Sequence, residues 1–162
     1  RENVMAQGTS SVDRVRKALQ LHNLPSELKE LPTSTRTARE AAQAVGCDVG
    51  QIVKSLVFET DPGGIPVLIL TSGSNQVDEG HMSGIIGQGI KFASPDFVRD
   101  RTGFAIGGVS PLGLTEEITT FIDKDLLNYS QIWAAAGSPR AVFSIDPSIL
   151  VSTTKARVVE VS

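Results

Sequence analysis

The chain contains 162 residues, of which 40% are hydrophobic and 20% are charged, and its formal net charge is −3. This length fits one domain with a substantial core, and the acidic balance argues against broad nucleic-acid binding, which depends on Lys and Arg neutralising phosphates. The single cysteine, Cys47, excludes an internal disulfide and a cysteine-based metal site. No apolar run approaches the ~20 residues of a membrane span and no signal peptide is visible, so we expect a cytoplasmic protein without a membrane partner.

The first helix is predicted to begin near Ser11, which can serve as its N-cap. Residues 1–10 show no periodic pattern, so we expect them to form a disordered extension and the domain to span residues 11–162. The helical spacing of the apolar residues continues to about residue 23. Its apolar stripe consists of Val12, Val15 and Leu19.

A short strand and a well-delimited helix follow. Leu28 and Leu31 alternate with charged residues, which indicates a half-exposed strand. Thr37 and Glu40 have the spacing of a capping box, in which each side chain bonds the backbone of the other residue. They predict a helix over residues 38–45.

Two strands, over residues 52–59 and 65–71, are joined by a strong turn signal, Asp-Pro-Gly-Gly. The second strand is continuously apolar, so it should be central and covered on both faces. Further strands are expected over residues 91–93, 118–123, 132–136, 141–145 and 157–161, and further helices from about residues 75, 95 and 147. This order predicts a mixed α/β fold: one compact domain with a mixed, barrel-like sheet surrounded by helices.

The glycine-rich stretch TGFAIGGVSPLG, residues 102–113, is too apolar for an ordinary solvent loop. Glycine allows close approach of a backbone to a ligand, and successive N–H groups in such a turn can converge on an anion or an oxyanion. A tight connection between core strands explains the same pattern equally well.

Lys54 is the most informative charged residue. Strand alternation puts it on one face with Ile52, Leu56 and Phe58, which are all apolar. Such a lysine either extends to the rim of the sheet or points into a cavity as a partly desolvated cation. The histidines have no Ser or Cys partner at catalytic spacing, and the sequence shows neither a cluster of metal ligands nor a nucleotide-binding motif.

Three blocks of the sequence together resemble the YbaK/ProX family, free-standing relatives of the editing domain of bacterial prolyl-tRNA synthetase. The blocks are TAREAAQAVGCDVGQIVKSLVF, TGFAIGGVSPLG and WAAAGSPRAVF, in the family's order. The resemblance implies a mixed sheet wrapped by helices and hydrolysis of amino acids wrongly esterified to tRNA, mostly tRNA for proline, without a metal, cofactor or covalent intermediate. It implies two partners, the aminoacylated 3′ end of tRNA and prolyl-tRNA synthetase.

The resemblance also assigns the site residues. The family's essential lysine falls on Lys54, its Gly-x-x-x-Pro loop on residues 107–111, and the glycine of its third block on Gly137. By this resemblance, backbone N–H groups at Gly107, Gly108 and Gly137 would stabilise the oxyanion, while Lys54 would hold the terminal ribose, a phosphate or the substrate carbonyl. The residues expected to contact the substrate are Thr37, Ser55, Ile106, Val109, Pro111 and Ser138.

Two questions stay open on the sequence alone. Members similar to the alanine-editing branch have Asn where this chain has Ser55, so the resemblance favours removal of cysteine or another small residue. A non-catalytic module of the same fold, which binds an aminoacyl-tRNA end or a synthetase, is the alternative to an enzyme.

If the glycine loop acts through its backbone, alanine at Gly107 or Gly108 should impair turnover more than stability, at one of the two positions at least.

Overall fold

The computed structural model describes residues 2–25 and 28–162. Within these residues the helices are α1 (Glu2–Leu21), α2 (Ala38–Val45), α3 (Glu79–Ile86), α4 (Pro95–Thr102) and α5 (Pro147–Thr154). The strands are β1 (Leu28–Glu30), β2 (Val53–Thr60), β3 (Pro66–Ser72), β4 (Ile90–Phe92), β5 (Thr119–Asp123), β6 (Ile132–Ser138), β7 (Ala141–Ile145) and β8 (Arg157–Val159). Short 3₁₀ helices cover Val49–Gln51 and Lys124–Asn128.

Strand β3 lies at the centre of the larger sheet, whose order is β4-β2-β3-β5-β8. All of its residues are buried, which confirms the prediction from its continuous apolar run. It pairs with β2 in antiparallel register and with β5 in parallel register. The parallel pairing requires a long crossover, and this crossover carries α3, β4, α4 and the glycine-rich stretch.

A smaller antiparallel sheet has the order β1-β7-β6. It faces the larger sheet across the main core, to which Val57, Leu68 and Phe143 contribute. An isolated bridge between Ile52 and Trp133 links the sheets at one edge. The mixed α/β domain is therefore confirmed, although its strands form two sheets and not a closed barrel.

Helix α1 packs against the smaller sheet. Val15 and Leu19 are buried in the main core and Val12 packs against it, as the apolar stripe predicted. The helix begins at Glu2, so the expected N-cap at Ser11 is wrong, and the backbone of residues 2–10 is helical where we expected a disordered extension. Helix propagation costs far less than nucleation, so a packed segment can extend the helix beyond its core-facing part. Residue 1 of the expected extension lies outside the described residues.

The capping box predicted for α2 is confirmed. Glu40 N donates to Thr37 Oγ1 at 3.1 Å and the Glu40 carboxylate accepts from Thr37 N, which forms the predicted capping box of α2. Helix α4 begins at Pro95 after the N-cap Ser94. Helix α3 begins later than predicted, because Asp78 is its N-cap.

Candidate active site

A cleft of about 850 Å³ lies beside the edge of β2. Between the Ile52–Trp133 bridge and the pairing of Phe58 with Phe92, no named strand of the described chain pairs with β2 on this side. The walls come from β2, β6, α2 with the segment before it, and residues 106–109. The gap in strand pairing therefore gives a ligand access to the β2 backbone and to side chains on both faces of the strand.

Lys54 lines this cleft and is half-buried. Its Nζ donates a hydrogen bond to the backbone carbonyl of Asn75. Burial lowers the pKa of the Lys54 ammonium, and the nearby Asp123 carboxylate partly opposes this by raising it. The sequence left two positions open for Lys54, the rim of the sheet and a cavity. In the structure Lys54 lies in the wall of a cavity, where a partly desolvated cation interacts strongly with any anionic group.

Ser55, the next residue, faces the other side of the strand because successive strand side chains alternate. Val53 and Val57, on the same side, are buried in the main core and also line the cleft. The Ser55 hydroxyl oxygen is buried and, among the described residues, is the one buried side-chain N or O atom without a hydrogen-bond partner. A buried hydroxyl of this kind costs ~1–3 kcal/mol when it stays unpaired, so an occupant of the cleft could relieve this cost.

The glycine-rich stretch is fixed at both ends by Arg14 of α1. Its guanidinium donates to the Gly103 carbonyl at 2.5 Å and to the Gly113 carbonyl at 3.2 Å. The same group lies 4.6 Å from the centre of the Phe104 ring, within range of a cation–π interaction. Sequence reasoning missed Arg14, because nothing in the spacing shows that α1 reaches residues about 90 positions away.

Between these anchors, Ile106, Gly107 and Val109 line the cleft. Gly107 has φ +93°, and an added Cβ would meet only Pro139 Cβ at 3.9 Å. Its N–H makes no hydrogen bond within the described chain. The backbone donor of Gly107 is therefore free for a ligand at the cleft.

Gly108 and Gly137 do not line the cleft. The Gly108 N–H donates to the Ala105 carbonyl at 3.0 Å, so it is occupied within the turn and is a poor candidate for an oxyanion contact. A Cβ at Gly108 would lie 2.8 Å from Ser138 N and 2.9 Å from Gly137 C. Backbone atoms therefore fill the space that an alanine methyl would need at Gly108, whereas at Gly107 the space is open and the positive φ adds strain. The expectation that alanine impairs turnover more than stability stays a prediction for Gly107.

The packing of α1 against β6 explains why residue 137 is glycine. Gly137 has φ +95°, and an added Cβ would lie 2.5 Å from the carbonyl oxygen of Ser11. The residue thus lets α1 approach β6 closely. Pro111, also expected to contact the substrate, is buried and lies away from the cleft lining.

Thr37 and Ser138 both line the cleft, and their contact with a substrate stays a prediction. The side chain of Thr37 is engaged in the capping box of α2. Ser138 Oγ accepts from Arg140 N at 3.0 Å, which shapes the β6–β7 turn. These hydrogen bonds fix the chain beside the cleft, and both residues remain at the cleft surface.

The rim of the cleft combines cations with exposed apolar side chains. Arg36 and Arg39 are exposed, and no ion pair involves them in the described part of the chain. Phe92 is 57% exposed and Ile106 is 56% exposed, and all four residues line the cleft. Sequence reasoning did not single out Arg36, Arg39 or Phe92, because their convergence depends on the tertiary fold.

Other reactive side chains lie apart from this arrangement. His22 and His81 are exposed and do not line the cleft, and His81 Nε2 is 2.9 Å from the Glu160 carbonyl oxygen. Burial, with a smaller effect from Asp48, raises the pKa of the Cys47 thiol, which disfavours a thiolate nucleophile. No three His, Cys, Asp or Glu side chains come together as metal ligands within residues 2–25 and 28–162.

The model of one protein family, the aminoacyl-tRNA editing domain, matches residues 33–152, which include Lys54, the glycine-rich stretch and all of β6 and β7. The chain belongs to this family. The editing domain thus contains the whole cleft, and the YbaK-like resemblance found in the three sequence blocks is confirmed.

Curated relatives of this editing domain are free-standing proteins and parts of synthetases. The protein YwhH of Bacillus subtilis is 29% identical over 86% of this chain and 88% of its own length. EbsC of Enterococcus faecalis, proposed to be a Cys-tRNA(Pro)/Cys-tRNA(Cys) deacylase, is 24% identical over 90% of each chain. Proline–tRNA ligase of Bacillus licheniformis is 35% identical over 60% of this chain, a region that covers 17% of the ligase.

Solved structures agree with the fold. A protein proposed to be a trans-editing enzyme for prolyl-tRNA synthetase superimposes with a TM-score of 0.88 at 46% identity, over 94% of this chain and 96% of its own. The hypothetical protein APE2540 superimposes with a TM-score of 0.85 at 27% identity, over 91% of this chain and 98% of its own. In the described residues of the editing domain, no helix has the length and apolar character to cross a membrane.

Proposed function

We propose that this editing domain is a trans-editing hydrolase that removes wrongly attached amino acids from tRNA in the cytoplasm. The substrate class is tRNA for proline that carries cysteine, alanine or another small amino acid, and the reaction is water attack on the ester. One observation carries the proposal: the half-buried Lys54 ammonium and the unpartnered Ser55 hydroxyl are adjacent at one cleft. Family membership supports the reaction class.

The chemistry requires stabilisation of charge more than a strong nucleophile. An aminoacyl ester is already activated, so the site has to hold the ester, stabilise the oxyanion and admit water. Lys54 supplies a partly desolvated cation, and Gly107 supplies an unpaired N–H at the same cleft. Since neither histidine lines the cleft, we assign activation of the water to a hydroxyl of the substrate's terminal ribose. This mechanism uses no metal ion and no cofactor.

The rim suits the single-stranded 3′ end of a tRNA. Proteins bind such ends with cations along the phosphates and aromatic rings against the bases. Arg36 and Arg39 offer guanidinium groups that no carboxylate of the described chain neutralises, and Phe92 offers an exposed ring. This local concentration of cations reconciles a nucleic-acid substrate with the net charge of −3.

The decisive experiment is deacylation of a tRNA panel by the purified chain. Cys-, Ala- and Ser-tRNA for proline, correctly charged Pro-tRNA and Cys-tRNA for cysteine are each followed with and without added prolyl-tRNA synthetase. We expect at least one mischarged tRNA for proline to be hydrolysed well above its spontaneous rate while Pro-tRNA is spared. Binding of charged tRNA in a mobility-shift assay, without acceleration under any condition, would instead identify a non-catalytic module.

Ser55→Ala tests whether the unpartnered hydroxyl serves the ligand. The free energy of unfolding should stay unchanged or rise slightly, because alanine removes an unpaired polar group. Single-turnover deacylation of the best panel substrate should fall ~10-fold, since one hydrogen bond contributes ~0.5–1.5 kcal/mol. Ser55→Thr, which retains a hydroxyl, should keep more activity, and Ser152→Ala on the exposed face of α5 is the matched control. Unchanged kinetics in Ser55→Ala would remove Ser55 from the site.

A further inference from the structure

Lys54 is hydrogen-bonded to a connected set of polar groups to which the mechanism above assigns no role. Lys54 Nζ donates to the backbone carbonyl of Asn75. The side-chain amide of Asn75 donates to Asp123 Oδ2 and to Asp125 Oδ2, each at 2.8 Å. We propose that Asn75 and Asp123 are positioning residues that hold the Lys54 ammonium at the cleft. The inference rests on the proposed function only for the consequence to catalysis.

Asn75 is fixed from several directions, so its carbonyl is a firm acceptor. Its own N–H donates to the Ser72 carbonyl at 3.0 Å, which ties it to the end of β3. Its side-chain amide uses its donor capacity on the two carboxylates of residues 123 and 125. A lysine side chain has many rotamers and loses much conformational entropy when it is held, so a preorganised acceptor determines where its charge lies.

Asp123 anchors this arrangement at the end of β5. Its side chain is 1% exposed. Oδ2 accepts from Ser72 N at 3.0 Å as well as from Asn75, and Oδ1 accepts from Asp125 N at 3.0 Å. A buried carboxylate needs such donors, and here the donors join β3, Asn75 and the 3₁₀ helix Lys124–Asn128 into one unit.

Asp123 also acts on Lys54 through its charge. Its carboxylate raises the pKa of the Lys54 ammonium against the lowering effect of burial. Among the elements near Lys54, the strands β3 and β6 contribute no charged side chain. The 3₁₀ helix contributes Lys124, which pairs with Glu160 at 2.9 Å, and Asp125, which lies on the far side of the Asn75 amide. Asp123 is therefore the charge that favours the protonated form of Lys54.

The strand order explains why Asn75 and Asp123 lie close together. Asn75 follows β3 and Asp123 ends β5, and β3 and β5 are parallel neighbours. The ends of adjacent parallel strands lie at the same edge of a sheet, which is where α/β folds commonly place functional side chains. The link to Lys54 on β2 appears only when the strand order is known.

The test separates the position of Lys54 from the activity. Asn75→Ala, Asp123→Asn and the control Asn128→Ala are prepared, and the Lys54 side-chain resonances, assigned with Lys54→Arg, are titrated by NMR. We expect Asp123→Asn to lower the pKa of Lys54, because the stabilising carboxylate charge is lost. Asn75→Ala should broaden or shift the Lys54 resonances, and Asn128→Ala should leave them unchanged.

Single-turnover deacylation gives the second readout. A displaced reacting group can cost up to ~10²-fold in rate, so we expect Asn75→Ala to lose ~10-fold or more at saturating enzyme. The enzyme concentration that gives half of the maximal rate should stay within about twofold of wild type. If Lys54 titrates as in wild type in both variants, the positioning role is overturned. If its titration changes but the wild-type chain deacylates nothing, the positioning role stands and the proposed function fails. If Asp123→Asn does not fold, the Lys54 titration in Asn75→Ala, which retains the backbone carbonyl, decides whether the positioning role stands.

Discussion

Replacement of Lys54 by alanine is expected to reduce single-turnover deacylation by ~10²–10³-fold, because one preorganised electrostatic contact at the transition state is worth that much. The ammonium lies in the cleft wall and hydrogen-bonds a backbone carbonyl, with no carboxylate within ion-pair distance among the described residues. Its charge is thus available to a developing oxyanion, a ribose or a phosphate. The measurement uses mischarged tRNA at saturating enzyme, with the melting temperature recorded alongside.

Two further variants make the Lys54 result interpretable. Lys54→Met keeps the aliphatic length without the charge and should be nearly as inactive as Lys54→Ala. Lys91→Ala removes an exposed lysine of the neighbouring strand β4 and should retain the activity. A folded Lys54→Ala protein that deacylates at the wild-type rate would exclude a catalytic role for this lysine.

The charge of Lys54 also gives the proposed activity a pH dependence. Burial lowers the pKa of this lysine below that of an exposed one. The ammonium is charged below its pKa, so its contribution is fully present well below the lowered pKa and is lost as the pH rises through it. The loss therefore begins at a lower pH than it would for an exposed lysine.

Local signals were sufficient wherever the physics is local. The capping box of Thr37 and Glu40 delimits α2, since both partners lie within one helical turn. The unbroken apolar run of β3 predicted a strand buried on both faces, and Lys54 stood out because a charged residue interrupts an apolar strand face. Each of these predictions depends only on residues that are close together in the sequence.

Contacts between residues far apart in the sequence could not be predicted from it. The carbonyls that Arg14 binds are 89 and 99 positions away, and the acceptor of the Lys54 ammonium is 21 positions away. Nothing in a single sequence fixes such pairs. The division into two sheets was missed for the same reason, because strand patterns specify strands and not their partners.

The glycine pair shows most clearly how sequence and structure differ. Both residues are consistent with a ligand-binding loop, but their surroundings differ: Gly107 lines the open cleft, whereas Gly108 is buried against the backbone of Gly137 and Ser138. A pattern of adjacent glycines cannot distinguish these roles. Substitution at the two positions should therefore give opposite balances of stability and activity.

Gly108→Ala is expected to lower the free energy of unfolding by ~3 kcal/mol or more, at the upper end of what overpacking costs. The added methyl would meet three backbone atoms at 2.8–3.0 Å, and these atoms cannot retreat easily because Gly137 itself lies against the Ser11 carbonyl. For a domain of this size, that loss corresponds to a fall in melting temperature of ~6–12 °C. A melting temperature within ~2 °C of wild type would show that the packing of Gly108 against β6 is looser than the structure indicates.

Gly107→Ala should instead cost only the strain of a positive φ, ~1–2 kcal/mol, since its methyl has an ordinary contact with Pro139. The chain can relieve this strain by rotating φ, which turns the Gly107 N–H away from the cleft. Deacylation by the folded protein should then fall ~10-fold or more, because a donor to the oxyanion is misdirected. Gly107→Asn is the matched variant, since asparagine adopts positive φ more readily than alanine and should lose less stability. If both Gly107 variants keep the full single-turnover rate while only stability falls, the loop has a structural role alone, and oxyanion stabilisation must come from Lys54.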